Sequence, residues 1–246
     1  MRVAVLTDIH ANREAFEAVL VDVAAHGVER IALLGDIVGY GADPEWCCDR
    51  AEALVAAGAV CVRGNHDNAA AGARESMSPL AMRALDWTKE RLSGAQRAFL
   101  GGLPMTADAE GLLFVHASAD QPEAWNYVTG DTRAALSFGA CTARVILCGH
   151  VHVPLLASCD LGGVVRDQAF KAGLPIPLLS SRRWLAVVGS VGQPRAGLAQ
   201  AAWALVDTGK AELTFRRTPY DVARAAQKVR EAGLPEELAV RLLVGR

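Results

Sequence analysis

Short apolar runs alternate with longer amphipathic stretches along most of the chain, and each run ends in glycine or a polar residue. Such runs are typical of buried strands, and the amphipathic stretches between them predict the helices of βαβ units. The predicted strands are Val3–Leu6, Ile31–Leu34, Ala59–Val62, Leu112–Val115, Val145–Cys148 and Leu185–Val188. Open α/β sheets bind ligands at the carboxyl ends of their strands, so the polar residues after these runs are candidates for a functional site.

Apolar residues at helical spacing predict a first helix directly after the first strand. They are Phe16, Val19, Leu20 and Val23, at positions i, i+3, i+4 and i+7. Asn12 is a plausible cap for its start and Gly27 for its end. Proline fits the first turn of a helix and serine can cap one, so further helices are expected to begin at Pro44, at Pro79 and after Ser93.

The last part of the chain combines a hairpin with helices. Trp203–Val206 and Leu213–Phe215 flank a turn-forming segment and predict two antiparallel strands. Residues 220–246 predict two helices, which are most simply packed against the sheet. Residues 156–183 contain glycine and proline without clear periodicity, so the pattern does not predict their course.

The composition is that of an ordinary globular protein: of 246 residues, 52% are hydrophobic and 21% are charged. This length suits one large domain, so residues 1–246 are expected to form a single domain with the helices of 220–246 packed on it. No apolar run approaches the roughly 20 residues that span a bilayer. The first run is short and ends in an acidic residue, so it is more typical of a strand than of a signal peptide. We therefore expect a cytoplasmic location.

Charge and cysteine spacing narrow the function classes further. A net charge of −2 with scattered arginines gives no basic stripe for nucleic-acid binding. The cysteines lack paired C-x-x-C spacing, which favours reduced structural thiols over zinc ligands. They are Cys47, Cys48, Cys61, Cys141, Cys148 and Cys159.

Metal-binding side chains follow the predicted strands. They are Asp8, His10, Asp36, Asn65, His66, His116, His150 and His152. Carboxylate, amide and imidazole together form a mixed oxygen and nitrogen donor set that suits manganese, iron or zinc. In an extended segment, Asp8 and His10 would face the same way, and so would His150 and His152. The alternative is that these polar residues only cap the strand ends.

The order and spacing of these residues resemble the five signature blocks of the calcineurin-like metallophosphoesterases. The blocks are Asp8-x-His10, Gly35-Asp36, Gly64-Asn65-His66-Asp67, His116 and Gly149-His150-x-His152. The similarity runs from residue 3 to about residue 195, and the strings Gly35–Gly41 and Gly189–Arg195 look like the small bacterial and archaeal phosphodiesterase branch. The resemblance implies an α/β (α+β) fold, a four-layer αββα sandwich of two mixed β-sheets flanked by helices.

The resemblance also implies a pair of divalent metal ions, with manganese expected and iron, zinc or nickel as alternatives. The first ion would be held by Asp8, His10, Asp36 and His152, and the second by Asp36, Asn65, His116 and His150. Two such ions lower the pKa of a shared water toward about 7, so that a bridging hydroxide can attack phosphorus. His66 would stabilise the phosphoryl oxygens or protonate the leaving oxygen, and Asp67 would orient His66 or, equally well, cap a turn.

The expected function is therefore hydrolysis of small phosphodiesters or phosphomonoesters. A nucleoside polyphosphate hydrolase or a protein phosphatase would share the same ligands, and a non-catalytic scaffold on the same fold, like the retromer subunit, is the alternative outside enzymology. No membrane partner is expected, and an oligomer remains open. The chain departs from the family pattern at Val187-Val188, where relatives usually have Asn-Pro. Asn12, Tyr40 and Arg195 are possible substrate contacts, although capping, packing and solvation explain them equally well.

Overall fold

Two β-sheets of six strands each form the centre of the molecule. The computed structural model describes all residues from Met1 to Arg246. Its strands are β1 (Arg2–Leu6), β2 (Arg30–Leu33), β3 (Val60–Cys61), β4 (Thr106–Ala109), β5 (Leu112–Val115), β6 (Val145–Cys148), β7 (Leu155–Cys159), β8 (Val165–Asp167), β9 (Ile176–Pro177), β10 (Arg183–Val187), β11 (Ala201–Asp207) and β12 (Glu212–Thr218). Its helices are α1 (Arg13–Ala24), α2 (Pro44–Ala56), α3 (Asn65–Ala70), α4 (Pro79–Arg91), α5 (Gly94–Gly102), α6 (Asp131–Ala140), α7 (Val222–Glu231) and α8 (Glu236–Val244).

Both sheets are mixed. The first has the order β3-β2-β1-β11-β12-β9, in which β1, β2 and β3 are parallel and the other pairings are antiparallel. The second has the order β4-β5-β6-β10-β7-β8, in which β5, β6 and β10 are parallel. In each sheet the parallel strands are the ones that the candidate site residues follow, so both sheets contribute to one site.

Alternation along the strands divides the core into layers. In β1, Val3 and Val5 are buried between the two sheets, whereas Ala4 and Leu6 pack on the other face with Phe16 of α1. The outer face of the second sheet packs on α6, largely through Phe138. Helix, sheet, sheet and helix therefore follow one another, which confirms the four-layer sandwich of two mixed sheets.

The apolar runs predicted the central strands, with shifts of one or two residues at most ends. Leu112–Val115 and Val145–Cys148 match β5 and β6 at both ends, and the predicted hairpin is the antiparallel pair β11 and β12. Ala59–Val62 shortens to β3 because only Val60 and Cys61 pair in register with β2. The sequence pattern missed β4, and residues 156–183 contribute part of β7 together with β8 and β9.

The predicted helix starts are confirmed by their caps. The Asn12 side chain accepts a hydrogen bond from the amide of Ala15, and Ser93 caps α5 in a reciprocal pair with Gln96. Pro44 and Pro79 occupy the first turns of α2 and α4. None of the helices combines the length and apolar character that crossing a bilayer requires.

The C-terminal helices α7 and α8 form a hairpin that packs on other helices, not on a sheet as expected. Their apolar residues cluster with Ala84 of α4 and with Tyr40. The ammonium group of Lys228 also lies 2.7 Å from carboxylate oxygens of both Glu14 and Asp43, which ties α7 to α1 and to the start of α2. The physical reason is that the helices of this layer already cover the outer face of the first sheet.

Candidate metal centre

Loops from both sheets meet at the carboxyl ends of the parallel strands. The loop after β1 hydrogen-bonds to the loop after β2: the amide of Asp8 donates to the carbonyl of Gly35 at 3.0 Å, and that of His10 donates to Asp36 at 2.9 Å. From the second sheet, the amide of His150 donates to a carboxylate oxygen of Asp8 at 2.9 Å. Hydrogen bonds between the loops therefore hold the candidate residues together.

The ligand pairs are not extended, which corrects the explanation drawn from their spacing. Asp8, His10, Asp36, His150 and His152 all have positive φ, between 49° and 66°. Left-handed conformations are uncommon for residues with a Cβ atom, and such strain concentrates at functional sites where surrounding contacts fix it. The loops turn their side chains into one cluster through these tight conformations.

Loops from the two sheets come into close contact at Gly149. A Cβ atom built on Gly149 would collide with the hydroxyl of Thr7, and it would lie 2.5 Å from a carboxylate oxygen of Asp8. The Thr7 hydroxyl donates to that same Asp8 oxygen at 2.8 Å. Glycine at this position therefore lets the loop after β6 reach the loop after β1.

One group of ligand atoms forms around Asp8, His10 and His152. Each side chain is almost fully buried, and their ligand atoms all lie within 4.8 Å of one another. The Nε2 atoms of the two histidines face each other at 3.0 Å. The Oδ1 atom of Asp8 lies 3.1 Å from Nε2 of His152, yet it is buried and accepts no well-directed hydrogen bond.

A second group forms around Asp36, His116 and His150, whose ligand atoms also lie within 4.8 Å of one another. Nε2 of His116 lies 3.1 Å from Nδ1 of His150 and 3.3 Å from the amide oxygen of Asn65. Asn65 is placed there as the first residue of α3. The second group therefore gathers a carboxylate, two imidazoles and an amide oxygen.

Asp36 lies between the two groups. Its Oδ2 atom is 3.5 Å from Nε2 of His10 and 3.4 Å from Nε2 of His116. Its other oxygen accepts a hydrogen bond from the amide of His66 at 2.8 Å, which fixes the carboxylate. All seven residues expected to bind metal are thus brought together, in the two sets that the sequence resemblance implies.

The tautomers of three histidines show that the site fits cations. Nδ1 of His10, His116 and His152 each contacts a backbone carbonyl, at 3.2, 2.7 and 2.7 Å respectively. A carbonyl can only accept, so Nδ1 carries a proton, and in the neutral form of each ring the Nε2 lone pair points into the site. Lone pairs and carboxylates that face one another at about 3 Å repel unless a positive charge lies between them. The buried His/Asp clusters are therefore consistent with a dinuclear metal site. Metal-binding histidines usually donate their other ring N–H to a carbonyl, a carboxylate or water, as these three do.

The pKa values show a strong mutual effect of Asp36 and His116. Burial acts to raise the pKa of Asp36, but the neighbouring His116 and His66 hold it well below its usual range. Burial acts to lower the pKa of His116, but Asp36 raises it to about 9. Burial and the charge of His116 lower the pKa of His150 to about 3. Asp36 thus stabilises the positive charge of a protonated His116, and it would stabilise a metal cation at the same place.

His66 borders the two groups, and one of its ring nitrogens lies within 4.8 Å of ligand atoms of His10 and Asp36. Its ring centroid is 4.9 Å from that of His10 and 4.5 Å from that of Tyr40. Burial lowers the pKa of His66, so its imidazole is neutral when no substrate is bound. Its Nδ1 atom is buried without a hydrogen-bond partner. His66 therefore borders the cleft with an uncommitted imidazole.

Asp67 does not orient His66, which corrects one of its two expected roles. Its Oδ1 accepts from the amides of Ile37 and Val38 at 2.9 and 3.3 Å, and its Oδ2 accepts from Gly64 at 3.0 Å. Burial and the charge of Asp36 raise its pKa to about 7. The turn-capping alternative is the one the structure supports, because Asp67 holds the loop that carries Asp36.

A cleft of about 220 Å³ opens over the cluster. Tyr40 and Arg195, which the sequence suggested as substrate contacts, line this cleft. Tyr127 and Arg241 also line it, although nothing in the sequence pointed to them. The ring of Tyr127 stacks on His150, with centroids 4.2 Å apart. Tyr127 belongs to an irregular loop and Arg241 to the last helix, so no motif marks either residue.

Two other candidates have structural roles. Asn12 caps α1 and donates to the carbonyl of Gly192 at 2.8 Å, which fixes the late loop. Val187 and Val188 are fully buried in the cores on opposite faces of the second sheet. The departure from the family's Asn-Pro therefore adds core packing rather than a group in the cleft.

Comparisons with known proteins agree with this geometry. Residues 1–211 match the family model of the calcineurin-like phosphoesterase superfamily domain. An uncharacterized protein of Methanocaldococcus jannaschii is 33% identical over 252 aligned residues, covering 99% of this chain and 98% of the relative. The similarity extends over the entire length of both proteins.

Two solved structures share the whole fold. A metallophosphoesterase from Sphaerobacter thermophilus superimposes with a TM-score of 0.87 at 36% identity, and the match covers 100% of both chains. A hypothetical protein from Pyrococcus horikoshii gives a TM-score of 0.78 at 22% identity and covers 100% of this chain and 98% of its own. The second of these shows the fold alone.

Removing the charge shared by the two groups should prevent tight binding of both ions. Asp36→Asn keeps the shape and the acceptor for His66 but leaves two cations close together without a shared carboxylate. We expect less than one tightly bound ion per chain by elemental analysis after manganese loading and desalting. Asp86→Asn, on the exposed face of α4, should load like the wild type. Full occupancy in the Asp36 variant would show that Asp36 does not bridge the ions.

Removing the Asp67 carboxylate should destabilise the fold. Asp67→Ala leaves three buried amides without an acceptor, which should lower the free energy of unfolding by about 2–4 kcal/mol. Urea titration of metal-free protein measures this loss, and the exposed Asp86→Ala is the matched control. A variant as stable as wild type but inactive would instead return Asp67 to a direct role in catalysis.

Proposed function

The chain belongs to the calcineurin-like phosphoesterase superfamily, and we propose that it is a dinuclear metal-dependent enzyme that hydrolyses small phosphodiesters. The observation that carries this proposal is the position of Asp36, within 3.5 Å of His10 and 3.4 Å of His116 and so shared by both ligand groups. Resemblance to the phosphodiesterase branch favours diesters, and phosphomonoesters are the second substrate class.

The donor sets support a specific assignment. We assign one ion to Asp8, His10, Asp36 and His152, and the other to Asp36, Asn65, His116 and His150. Imidazole and carboxylate together suit manganese, with iron, zinc and nickel as alternatives. When bound, the pair of ions supplies an activated water nucleophile and positive charge for the phosphoryl oxygens. The backbone carbonyls behind the rings keep the lone pairs directed inward.

His66 supplies the remaining polar group of the proposed reaction. Because its free imidazole is neutral, it meets the substrate as a hydrogen-bond donor to a phosphoryl or leaving oxygen. The negative charge of a bound phosphate raises the pKa of that imidazole, so it can also carry the proton that the leaving oxygen needs. Tyr40 packs against His66 and limits its rotation.

Hydrolysis of a chromogenic diester tests the proposal directly. Purified protein loaded with manganese should hydrolyse bis(p-nitrophenyl) phosphate, lose this activity with EDTA and regain it when manganese is added back. p-Nitrophenyl phosphate, a dinucleoside polyphosphate and a phosphopeptide, assayed in parallel, distinguish the alternative substrate classes. Absence of turnover on all of them, in folded protein that holds two metal ions, would favour a scaffold.

Removing His66 should impair turnover without releasing metal. His66→Ala deletes the proposed donor but none of the proposed ligands, so kcat should fall by about 10²–10⁴-fold while metal content stays at the wild-type value. His26→Ala is the control, because His26 lies at the end of α1 outside the cleft. Loss of bound metal in the His66 variant would place this side chain among the ligands instead.

A further inference from the structure

Two arginines line the outer part of the cleft without an acidic partner. Arg195 lies in the loop after β10 and Arg241 in α8, and both border the same cleft as Asp36 and His66. The ion pairs of the molecule involve other arginines and lysines, on the surface or at the base of α7. Apart from Asp36 the cleft has no acid in its lining, so neither arginine has another carboxylate to pair with there.

Arg195 is held in a fixed relation to the metal cluster. Its backbone amide donates to the carbonyl of His152 at 3.3 Å, and its Nη2 donates to the side chain of Gln193 at 2.6 Å. Its guanidinium lies 5.9 Å from the ring centroid of Tyr40, and its Nε atom is buried without a partner. Part of the donor capacity of this guanidinium is therefore unused.

Arg241 is fixed beside it by the C-terminal hairpin. The amide of Gly197, two residues after Arg195, donates to the carbonyl of Gly245 at 2.8 Å. Gly245 ends α8 with a φ of 65°, and a Cβ atom there would collide with the backbone of Leu198. The end of α8 is thus pressed onto the segment that follows Arg195, so the two arginines keep one relative position.

Arg195 and Arg241 line the same cleft as Tyr40. Tyr40 in turn packs on His10 and His66, with ring centroids 4.7 and 4.5 Å away. Tyr40 therefore borders both the metal cluster and the cleft that the two arginines line.

We propose that Arg195 and Arg241 form an anion subsite for a second phosphate group, so that the preferred substrates are phosphoesters that carry another phosphate beside the one hydrolysed. Guanidinium forks match phosphate oxygens in pairs, and two unpaired guanidinium groups held together are stabilised by a shared anion. Arg195 lies within residues 1–211, the part that matches the family model, whereas Arg241 lies beyond it, so the C-terminal hairpin supplies one of the two guanidinium groups. This inference rests on the proposed function, because the first phosphate is placed at the metal cluster.

A matched pair of chromogenic diesters tests the subsite. Thymidine 5′-(p-nitrophenyl phosphate) carries one phosphate, and its 3′-phosphorylated analogue carries the same scissile group and a second phosphate. The second phosphate should raise kcat/KM by about tenfold or more in the wild type, as expected for a charged hydrogen-bonded contact. Arg241→Gln and Arg195→Gln should each abolish most of this gain and change kcat/KM for the first substrate much less.

Two further variants separate charge recognition from folding. Arg241→Lys keeps the charge but not the fork, so it should retain part of the gain. Arg224→Gln removes one charge from the exposed face of the same hairpin and should retain all of it. Thermal unfolding of each variant confirms that the hairpin is still in place.

Binding without turnover gives an independent readout. Calorimetry on manganese-loaded protein should show that pyrophosphate or thymidine 3′,5′-bisphosphate binds more tightly than inorganic phosphate, and that Arg241→Gln removes the difference. If this holds while neither diester is hydrolysed, the subsite stands and the proposed function fails. If both diesters are hydrolysed equally, or the arginine variants weaken both alike, the subsite is wrong and the phosphodiesterase stands.

Discussion

The shared carboxylate of Asp36 is the interaction on which the site depends. One of its oxygens lies 3.5 Å from a ring nitrogen of His10 and 3.4 Å from one of His116, and the other is bound by the amide of His66. Imidazole lone pairs converge on it from both sides because backbone carbonyls hold the opposite nitrogens. Such an arrangement is electrostatically unfavourable without cations, and the proposed pair of metal ions would balance it.

The rest of the fold serves to hold this arrangement. Five of the residues that turn into the site have left-handed backbone conformations, which cost energy and persist only when their surroundings fix them. The loops are fixed by hydrogen bonds between the two sheets, by the close approach at Gly149 and by Asp67, which binds the amides around Asp36. A rigid sandwich with apolar contacts on both faces of each sheet resists the repulsion among the ligands.

The C-terminal hairpin extends the site beyond the strand ends. Lys228 ties it to α1 and α2, and Gly245 presses its end onto the loop after β10. This packing brings Arg241 to the rim of the cleft beside Arg195. The candidate metal ligands lie on loops of the two sheets, whereas the proposed anion subsite needs the last helix as well as the loop after β10.

The sequence by itself determined most strands and helix starts, and through its spaced motif blocks the seven candidate ligands. It could do so because buried strands and helix caps are local patterns, and because ligand blocks follow strands that end at one edge. The family resemblance implied the layering, but only the tertiary structure decided which face of each strand meets the other sheet, since β1 and β5 are buried on both faces and their apolar runs do not reveal it. It also decided that Asp67 caps a loop, and that Tyr127 and Arg241 border the cleft, because those contacts join residues that no local pattern relates.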